Sequence, residues 1–522
     1  MILTTSTNKE INTVINLEYN GATCYVTGDI PVELKFILAQ TLTYTDSDAE
    51  YQRLRQIKTK GYSNIDSRRC LYKYANKVGY FPTGLIPRVY QVLINNGCEV
   101  NVNRRVRNLA PAAIDLPDYL YSYQKQVIKI AIEACRGLVQ APTGSGKTLM
   151  IAYYIAHFPT ARIIVLENTK DLIKQTAVEL KQVLNIPIGL YYGDKKNWER
   201  VTVGTPNSLC RLGDVNPKAF SDVDIIIYDE VHLYNNATAQ KFSNLCTGTS
   251  YRLGLSATID FDASESLKLY GMVGPHLITV KEETLLKEGL LTKPKYIYID
   301  MPDPGDLLEN GKDRYKGKYF DTDTGVYVYN THNKKPPRAE VYKQCIVNNK
   351  ERNAAIVSLL EAFLNSKRFT GPAFVLVESL EHGEQISKLA REKGINLPFI
   401  SGDDTSATRD SVVKGMRSGE FRAICATRIF NQGTNIKPLE LVIIASGGND
   451  KKRVAQQVGR VVRKSPETEK IEAISIDFRD REKYYLQWNF KNRLEEINKR
   501  FPNCSTAMTY EEAILFLRKS TL

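Results

Sequence analysis

The chain has 522 residues, is 43% hydrophobic and 25% charged, and carries a formal net charge of +13. Its nine cysteines include no C-x-x-C pair, and no apolar run approaches the length of a membrane span, so a disulfide-framed, zinc-stapled or membrane-embedded chain is excluded. What is left is about three globular domains with reduced thiols and a preference for a polyanionic partner.

Residues 1–115 read as a separate unit. Positions 11–19 and 23–26 alternate apolar and polar residues, as half-buried strands do, and 31–42 reads as a helix. Between 51 and 110 there are twelve basic residues (from Arg53 to Arg107) against two acidic ones, Asp66 and Glu99. Tyr62, Tyr72, Tyr74, Tyr80 and Phe81 are interleaved with them. Basic groups neutralise phosphates and aromatic faces stack on bases, so this stretch is expected to contact nucleic acid; the competing reading is a solvated basic face over core tyrosines. The first ten residues lack a cationic head followed by an apolar core, so the expectation is a cytoplasmic protein without an export signal.

Residues 118–134 lead into the most specific stretch of the chain, Gln140-Ala141-Pro142-Thr143-Gly144-Ser145-Gly146-Lys147-Thr148. It follows a short apolar run and opens an apolar-periodic one, which is strand, glycine turn, helix. Gly144 and Gly146 allow a tight turn with inward-facing N–H groups, and the helix N-terminus adds positive potential. Lys147 can reach the β- and γ-phosphates, and the Thr148 hydroxyl can sit on Mg²⁺. Ala141 replaces the first glycine of the general pattern. One helix upstream, Gln124 can read an adenine edge beside the ring of Tyr123, or simply begin a helix.

Strands and helices then alternate, the pattern of a parallel sheet covered on both faces. Strands are expected at 162–167, 201–204, 223–228 and 251–255, with a helix at 171–184. The strand at 223–228 runs into Asp229-Glu230-Val231-His232, and the one at 251–255 into Ser256-Ala257-Thr258. Two carboxylates at a strand end in the sheet of the glycine loop have a clear use: Asp229 holds Mg²⁺ and Glu230 orients or deprotonates the attacking water. The same pair at a strand end also serves as a helix cap.

Residues 297–338, punctuated by Pro and Gly, read as a linker plus a surface insertion. A second α/β unit follows, with helices at 351–364, 381–392, 407–417 and 452–462 and strands at 373–377, 396–400, 422–425, 439–445 and 471–476. It has no glycine phosphate loop. Arg460 and Arg463 lie three apart and so share a helix face; facing a nucleotide they would be arginine fingers, and facing solvent ordinary surface pairs. The tail from 481 reads as helical and packed on this unit.

These blocks, in this order, resemble a superfamily 2 helicase or translocase across residues 123–477. Tyr123-Gln124 resembles the adenine-reading element, 141–148 motif I, Asn168-Thr169-Lys170 motif Ia, Asp229 to His232 motif II and Ser256-Ala257-Thr258 motif III. Residues 374–378 resemble motif IV, 427–435 motif V and 456–463 motif VI. The resemblance implies two tandem RecA-like domains with parallel sheets clamping ATP and Mg²⁺, a small α+β N-terminal domain and a helical C-terminal tail. The implied divisions are 1–115, 116–295 (ATP-binding), 296–340 (linker and insertion), 341–480 (second RecA-like domain) and 481–522. Pro142, Thr143 and Ser145 join the glycines around the phosphates, His232 completes motif II, and Gln456, Arg460 and Arg463 finish the site from the second domain. Lys170, Thr205 and Thr427 would grip the nucleic-acid backbone, and Ser256 and Thr258 would couple hydrolysis to that grip. Motif V departs from relatives in lacking acidic residues around Gly433, flanked here by Asn431, Gln432 and Asn435.

Residues 66–72 and 81–87 resemble the small N-terminal domain of phage UvsW-type helicases, which act on branched DNA in replication, recombination and repair. The resemblance implies DNA as the partner, with RNA also open, and the host cytoplasm for a phage-encoded chain; the sequence leaves the oligomeric state open, with a monomer favoured. An RNA helicase, or a non-motor scaffold that keeps ATP only as a conformational ligand, are the alternatives.

Overall fold

In the N-terminal region a two-residue side-chain period builds a sheet with one dry face. The computed structural model describes residues 13–76, 78–259, 264, 266–301, 318–321, 326–329, 338–427, 439–448, 454, 458–459, 461–462, 472–480 and 484–519. The first elements are β1 (Val14–Tyr19), β2 (Thr23–Thr27), α1 (Val32–Thr41), β3 (Thr43–Thr45) and α2 (Ser47–Lys60). They are followed by β4 (Arg68–Cys70), β5 (Lys73–Ala75), β6 (Val78–Pro82), α3 (Ile86–Asn95) and β7 (Glu99–Arg104). Five of the strands form a sheet in the order β5-β6-β2-β1-β7, in which only β7 runs parallel to its neighbour. Ile15, Leu17, Cys24, Val26 and Phe81 point to one side, where Leu34 and Leu38 of α1 and Val89 and Leu93 of α3 cover them. α2 buries none of its residues. It is held by its ends: the Asp46 carboxylate accepts the Ala49 N–H at 3.0 Å, and Gly61 turns left-handed at φ 80°.

This region has its own sheet but not its own boundary. Its core runs on into Leu267 and Tyr270 of a later helix. The half-buried Arg136 guanidinium donates to Gly21 O at 2.9 Å and Val273 O at 3.2 Å. A Cβ on Gly84 would lie 2.0 Å from Tyr270 O, so only glycine fits there. By contacts the chain divides into one unit of Met1–Ala141 with Gly146–Val280, and a second of Lys281–Leu522 grouped with Pro142–Ser145.

The next elements are α4 (Ser122–Ala134), β8 (Arg136–Gln140), α5 (Lys147–Ala156), β9 (Ile163–Leu166), α6 (Lys170–Leu184), β10 (Ile188–Tyr192) and β11 (Lys195–Asn197). After them come β12 (Val201–Gly204), α7 (Pro206–Val215), β13 (Ile225–Asp229), α8 (Ala237–Leu245), β14 (Tyr251–Ser256), α9 (Ser266–Met272) and β15 (His276–Thr279). The eight strands are ordered β11-β10-β12-β9-β13-β14-β8-β15, and every pair is parallel except the β10–β11 hairpin at the edge. The central strands β9, β12 and β14 are buried at every position, which is why they read as unbroken apolar runs. The strand order sets the carboxyl ends of β9, β13, β14 and β8 side by side, and open α/β sheets bind ligands at that edge.

The second unit holds α10 (Glu282–Lys287), β16 (Pro294–Met301), the pair β17 (Lys318–Asp321) and β18 (Val326–Tyr329), α11 (Arg338–Tyr342), α12 (Lys350–Leu364), β19 (Ala373–Leu376) and α13 (Leu380–Glu392). It continues with β20 (Phe399–Ile400), α14 (Ser406–Ser418), β21 (Ala423–Ala426), β22 (Leu441–Ile444), β23 (Ala473–Asp480), a helix over Tyr484–Arg500, β24 (Ser505–Met508) and a helix over Tyr510–Arg518. The parallel sheet is ordered β20-β21-β19-β22-β23-β16-β24. Two expectations are corrected. The start of the expected linker is β16, a full strand whose Tyr296, Ile297 and Ile299 are completely buried. The helical tail contributes β24, which pairs with β16. Most of the insertion, and Gln456, Arg460, Arg463, Asn431, Gln432, Gly433 and Asn435, lie outside the described residues. Buried ion pairs tie helices to the sheet: Arg493 of the tail donates to both Asp477 oxygens at 2.7 and 2.9 Å, and Arg352 of α12 to Asp480 at 2.9 Å. No helix among the described residues is long and apolar enough to cross a membrane.

Candidate nucleotide site

β8 ends at Gln140, and α5 begins at Lys147 with Gly146 as its cap residue and no side-chain cap. Gly144 (φ 88°) and Gly146 (φ 75°) both take the left-handed backbone that the turn needs. The loop is anchored at its first residue, where Ala141 N–H donates to Ser256 O of β14 at 2.9 Å. Gln124 lies against the other end: a Cβ on Gly146 would sit 2.5 Å from its Nε2. The Gln124 Oε1 accepts the Tyr121 N–H at 3.1 Å, closing a capping box at the head of α4. That bond takes up one acceptor position of the amide expected to read adenine.

Lys147 reaches across to motif II. Its Nζ is 3.1 Å from Glu230 Oε1, and both side chains are mostly shielded. Glu230 is a non-glycine residue at φ 49°, a conformation that costs energy and aims its carboxylate off the end of β13. The Ser256 hydroxyl donates to Glu230 Oε2 at 3.1 Å and accepts the Thr258 N–H at 3.1 Å. With its one proton spent on Glu230, it must accept from His232 Nδ1 at 2.7 Å, which places the imidazole proton on that nitrogen. Motifs II and III are thus joined through one hydroxyl.

Electrostatics separate the two carboxylates. Burial pushes Asp229 up to about 6, the adjacent Glu230 adds to this, and Lys147 works against it. Burial also acts on Glu230, but Lys147, then His232 and the Ser256 bond, hold it below the ordinary value. Glu230 is therefore the more acidic member of the pair while Lys147 stays beside it.

Sequence reasoning passed over a third carboxylate. Glu167 directly follows β9, whose Leu166 pairs with Tyr228 of β13, so it stands beside Asp229. It is 1% exposed, accepts the Thr176 hydroxyl at 2.6 Å, and is pushed well above the carboxylate range by burial and then by Asp229. The signal was present, an acid closing the unbroken apolar run Ile163 to Leu166 as Asp229 closes Ile225 to Tyr228.

The residues expected to grip nucleic acid are less gathered. Lys170 is exposed at the start of α6, its ammonium 3.7 Å from where a Cβ on Gly193 would stand. The Thr205 hydroxyl caps α7 by accepting the Ser208 N–H at 3.3 Å. Thr427 is buried after β21 and donates its N–H to Ile400 O at 3.1 Å. In the N-terminal region Tyr72 and Phe81 are core residues, which corrects their reading as nucleic-acid rings; Tyr62 and Tyr74 are exposed.

The residues present suit a triphosphate with a divalent ion: left-handed glycines before an uncapped helix, a lysine whose nearest partner is a carboxylate, and Thr148 and Asp229 as hard oxygen donors. Among the described residues no group of three or more His, Cys, Asp or Glu is placed to hold a metal, so phosphate and water oxygens would have to complete the shell.

Residues 118–261 match the family model of the type III restriction enzyme res subunit, and residues 352–465 that of the helicase conserved C-terminal domain. A putative DNA 3'-5' helicase Rad25 of Haloarcula marismortui is 25% identical over 72% of this chain and 55% of its own length. The ATP-dependent DNA helicase uvsW of Enterobacteria phage T4 is 24% identical over 77% of this chain and 80% of its own. The chain thus spans just over half the length of the Rad25 relative. In fold it is similar to Saccharomyces cerevisiae Dbp5 bound to RNA and ADP BeF3, with a TM-score of 0.52 at 15% identity over 76% of this chain and 93% of that one.

Proposed function

We propose, from the matches to helicase family models and to the DNA helicase uvsW, that this chain is a UvsW-like superfamily 2 helicase: an ATP-dependent DNA helicase or translocase acting on branched DNA, regressing forks, migrating junctions and unwinding strands in replication, recombination or repair. The observation that carries the reading is the Lys147–Glu230 pair, tied through Ser256 to His232 and Thr258. The relatives named as DNA helicases support DNA over RNA.

In this reading Lys147 leaves Glu230 for the β- and γ-phosphates and stabilises the charge that grows there. Glu230, freed and ionised, accepts the proton of the attacking water; its bond from Ser256 keeps the carboxylate oriented. Thr148 and Asp229 would hold Mg²⁺, which would supply Lewis-acid charge at the phosphates. Pro142, Thr143, Gly144, Ser145 and Gly146 wrap the phosphates, and Gln124 holds the base end of the site. Any motion of the Ser256 hydroxyl is passed to Thr258, the path by which hydrolysis would change the grip of Lys170, Thr205 and Thr427. The basic residue 1–115 domain adds a second nucleic-acid contact, and the chain works as a monomer in the host cytoplasm.

Lys147→Ala should abolish nucleic-acid-stimulated ATP hydrolysis; undiminished turnover would refute the site. Unwinding assays on forks, four-way junctions, RNA-containing loops and blunt duplexes then separate the substrates, and preference for RNA would overturn the DNA reading.

A further inference from the structure

The five-stranded N-terminal sheet has a dry face under α1 and α3 and a second face that the core leaves uncovered. Cross-strand register aligns one row of outward side chains over all five strands. Lys73 of β5 is opposite Tyr80 of β6, Tyr80 opposite Tyr25 of β2, Tyr25 opposite Glu18 of β1, and Glu18 opposite Asn103 of β7. The two tyrosine rings lie side by side with centroids 6.4 Å apart, tilted by 42°. Tyr25 is 38% exposed although it occupies a central strand, and Lys73 and Asn103 are exposed as well. The next row adds Asn16, which accepts from Asn101 at 3.3 Å. Glu18, the one acid in the first row, is paired with Arg105.

A buried-face requirement does not explain two large rings on the wet side of a sheet. A cross-strand aromatic pair does stabilise a hairpin, but a cation at one end and amide groups at the other are not needed for that. Unpaired bases use all of these: aromatic faces to stack on, a cation for the phosphate beside the stack, and amides for base edges. A closed duplex offers no free base face. The surrounding charge agrees, with twelve basic residues against two acidic ones over residues 51–110.

We propose that the Lys73–Tyr80–Tyr25–Glu18–Asn103 row is a stacking platform for unpaired bases of single-stranded nucleic acid. It rests on the reading of residues 1–115 as a nucleic-acid-binding domain and sharpens it: the domain takes the open strand of a junction, not its duplex arms.

The test uses the full chain with three probes, an unstructured oligo-dT, an oligo-U and a blunt duplex, read by fluorescence anisotropy. Tyr25→Thr with Tyr80→Thr keeps β-forming residues and should weaken single-strand binding by about tenfold or more, leave blunt-duplex binding within about twofold, and be rescued by Tyr25→Phe with Tyr80→Phe. The stronger single-strand probe identifies DNA or RNA as the source. Equal loss on single strand and duplex, or no loss on either, overturns the platform. Photocrosslinking of iodouracil-bearing oligonucleotides to the wild-type chain is independent of the variants' folding: crosslinks at Tyr25 or Tyr80 support the platform, and crosslinks confined to other residues overturn it. A wild-type chain that binds no probe overturns the nucleic-acid reading itself.

Discussion

His382 lends itself to a worked perturbation. It is fully buried at the start of α13. Asn353 is oriented by its Nδ2 bond to Val347 O at 2.9 Å, so its Oδ1 faces His382 Nε2 at 2.9 Å and accepts that proton. Nδ1 is then a lone pair in a dry site with no hydrogen-bond partner among the described residues. Burial, and then the nearby Arg352 guanidinium, hold the imidazole down to about 3. The unfolded chain takes up a proton as pH falls through the ordinary value, while the folded unit refuses it until about 3. Stability from this group is therefore intact above pH ~6.5 and lost progressively as pH falls toward 3. At pH 5 the loss comes to about 2 kcal/mol. The chain has two tryptophans, Trp198 in the first unit and Trp488 in the second, so Trp198→Phe leaves one fluorescent reporter on the unit that contains His382. Urea unfolding at pH 8 and pH 5, in this background with and without His382→Gln, gives the answer. Gln keeps a donor for Asn353 but cannot titrate, so the pH-dependent difference between the two chains should be about 2 kcal/mol. An equal pH response in both chains would mean that His382 is charged, or solvated, in the native unit.

Further outcomes follow from the same electrostatics. Asp229, raised to about 6, should lose its hold on Mg²⁺ as it protonates, so ATP turnover at subsaturating Mg²⁺ should fall below about pH 6 and recover when Mg²⁺ is raised; an apparent Mg²⁺ constant that is flat from pH 8 to 5 would contradict this. On stability the same group acts with the opposite sign to His382, because its raised value stabilises the folded form at low pH and that contribution disappears as pH rises toward 6. Arg493→Ala would strand the buried Asp477 carboxylate and should cost the second unit roughly 3–5 kcal/mol in denaturant unfolding, whereas Arg493→Ala with Asp477→Asn should restore a good part of it.

Much of the motor sheet was legible because parallel strands buried on both faces leave unmistakable apolar runs. Residues 201–204 were bounded correctly to the residue, and the strand expected at 223–228 starts two positions later, at Ile225. The contact of Lys147 with Glu230 was not anticipated, and the Ser256 hydroxyl that ties His232 to Glu230 depends on the β13–β14 register, which has no sequence signature. β16 was missed because its neighbours, β23 and β24, lie about 180 to 210 positions later, and a lone apolar run before a Pro-rich segment looks like an exit from one domain. Tyr25 escaped notice for a similar reason: its partner Tyr80 is brought alongside only when β2 and β6 pair. Tyr72 and Phe81 were misjudged because composition cannot tell which side of a strand a ring takes.

The shared packing of Leu267 and Tyr270 with the N-terminal sheet bears on how this molecule can be dissected. A shortened version that starts near residue 116 would not be a clean engine with an accessory unbolted. It would carry an open apolar wound where Leu85 and Phe81 had been, and Arg136 would lose the Gly21 carbonyl that now accepts its proton. Such a fragment should precipitate or recruit chaperones, so a failure to hydrolyse ATP would say nothing about chemistry. Dissection by point substitution on the wet face leaves that seam closed.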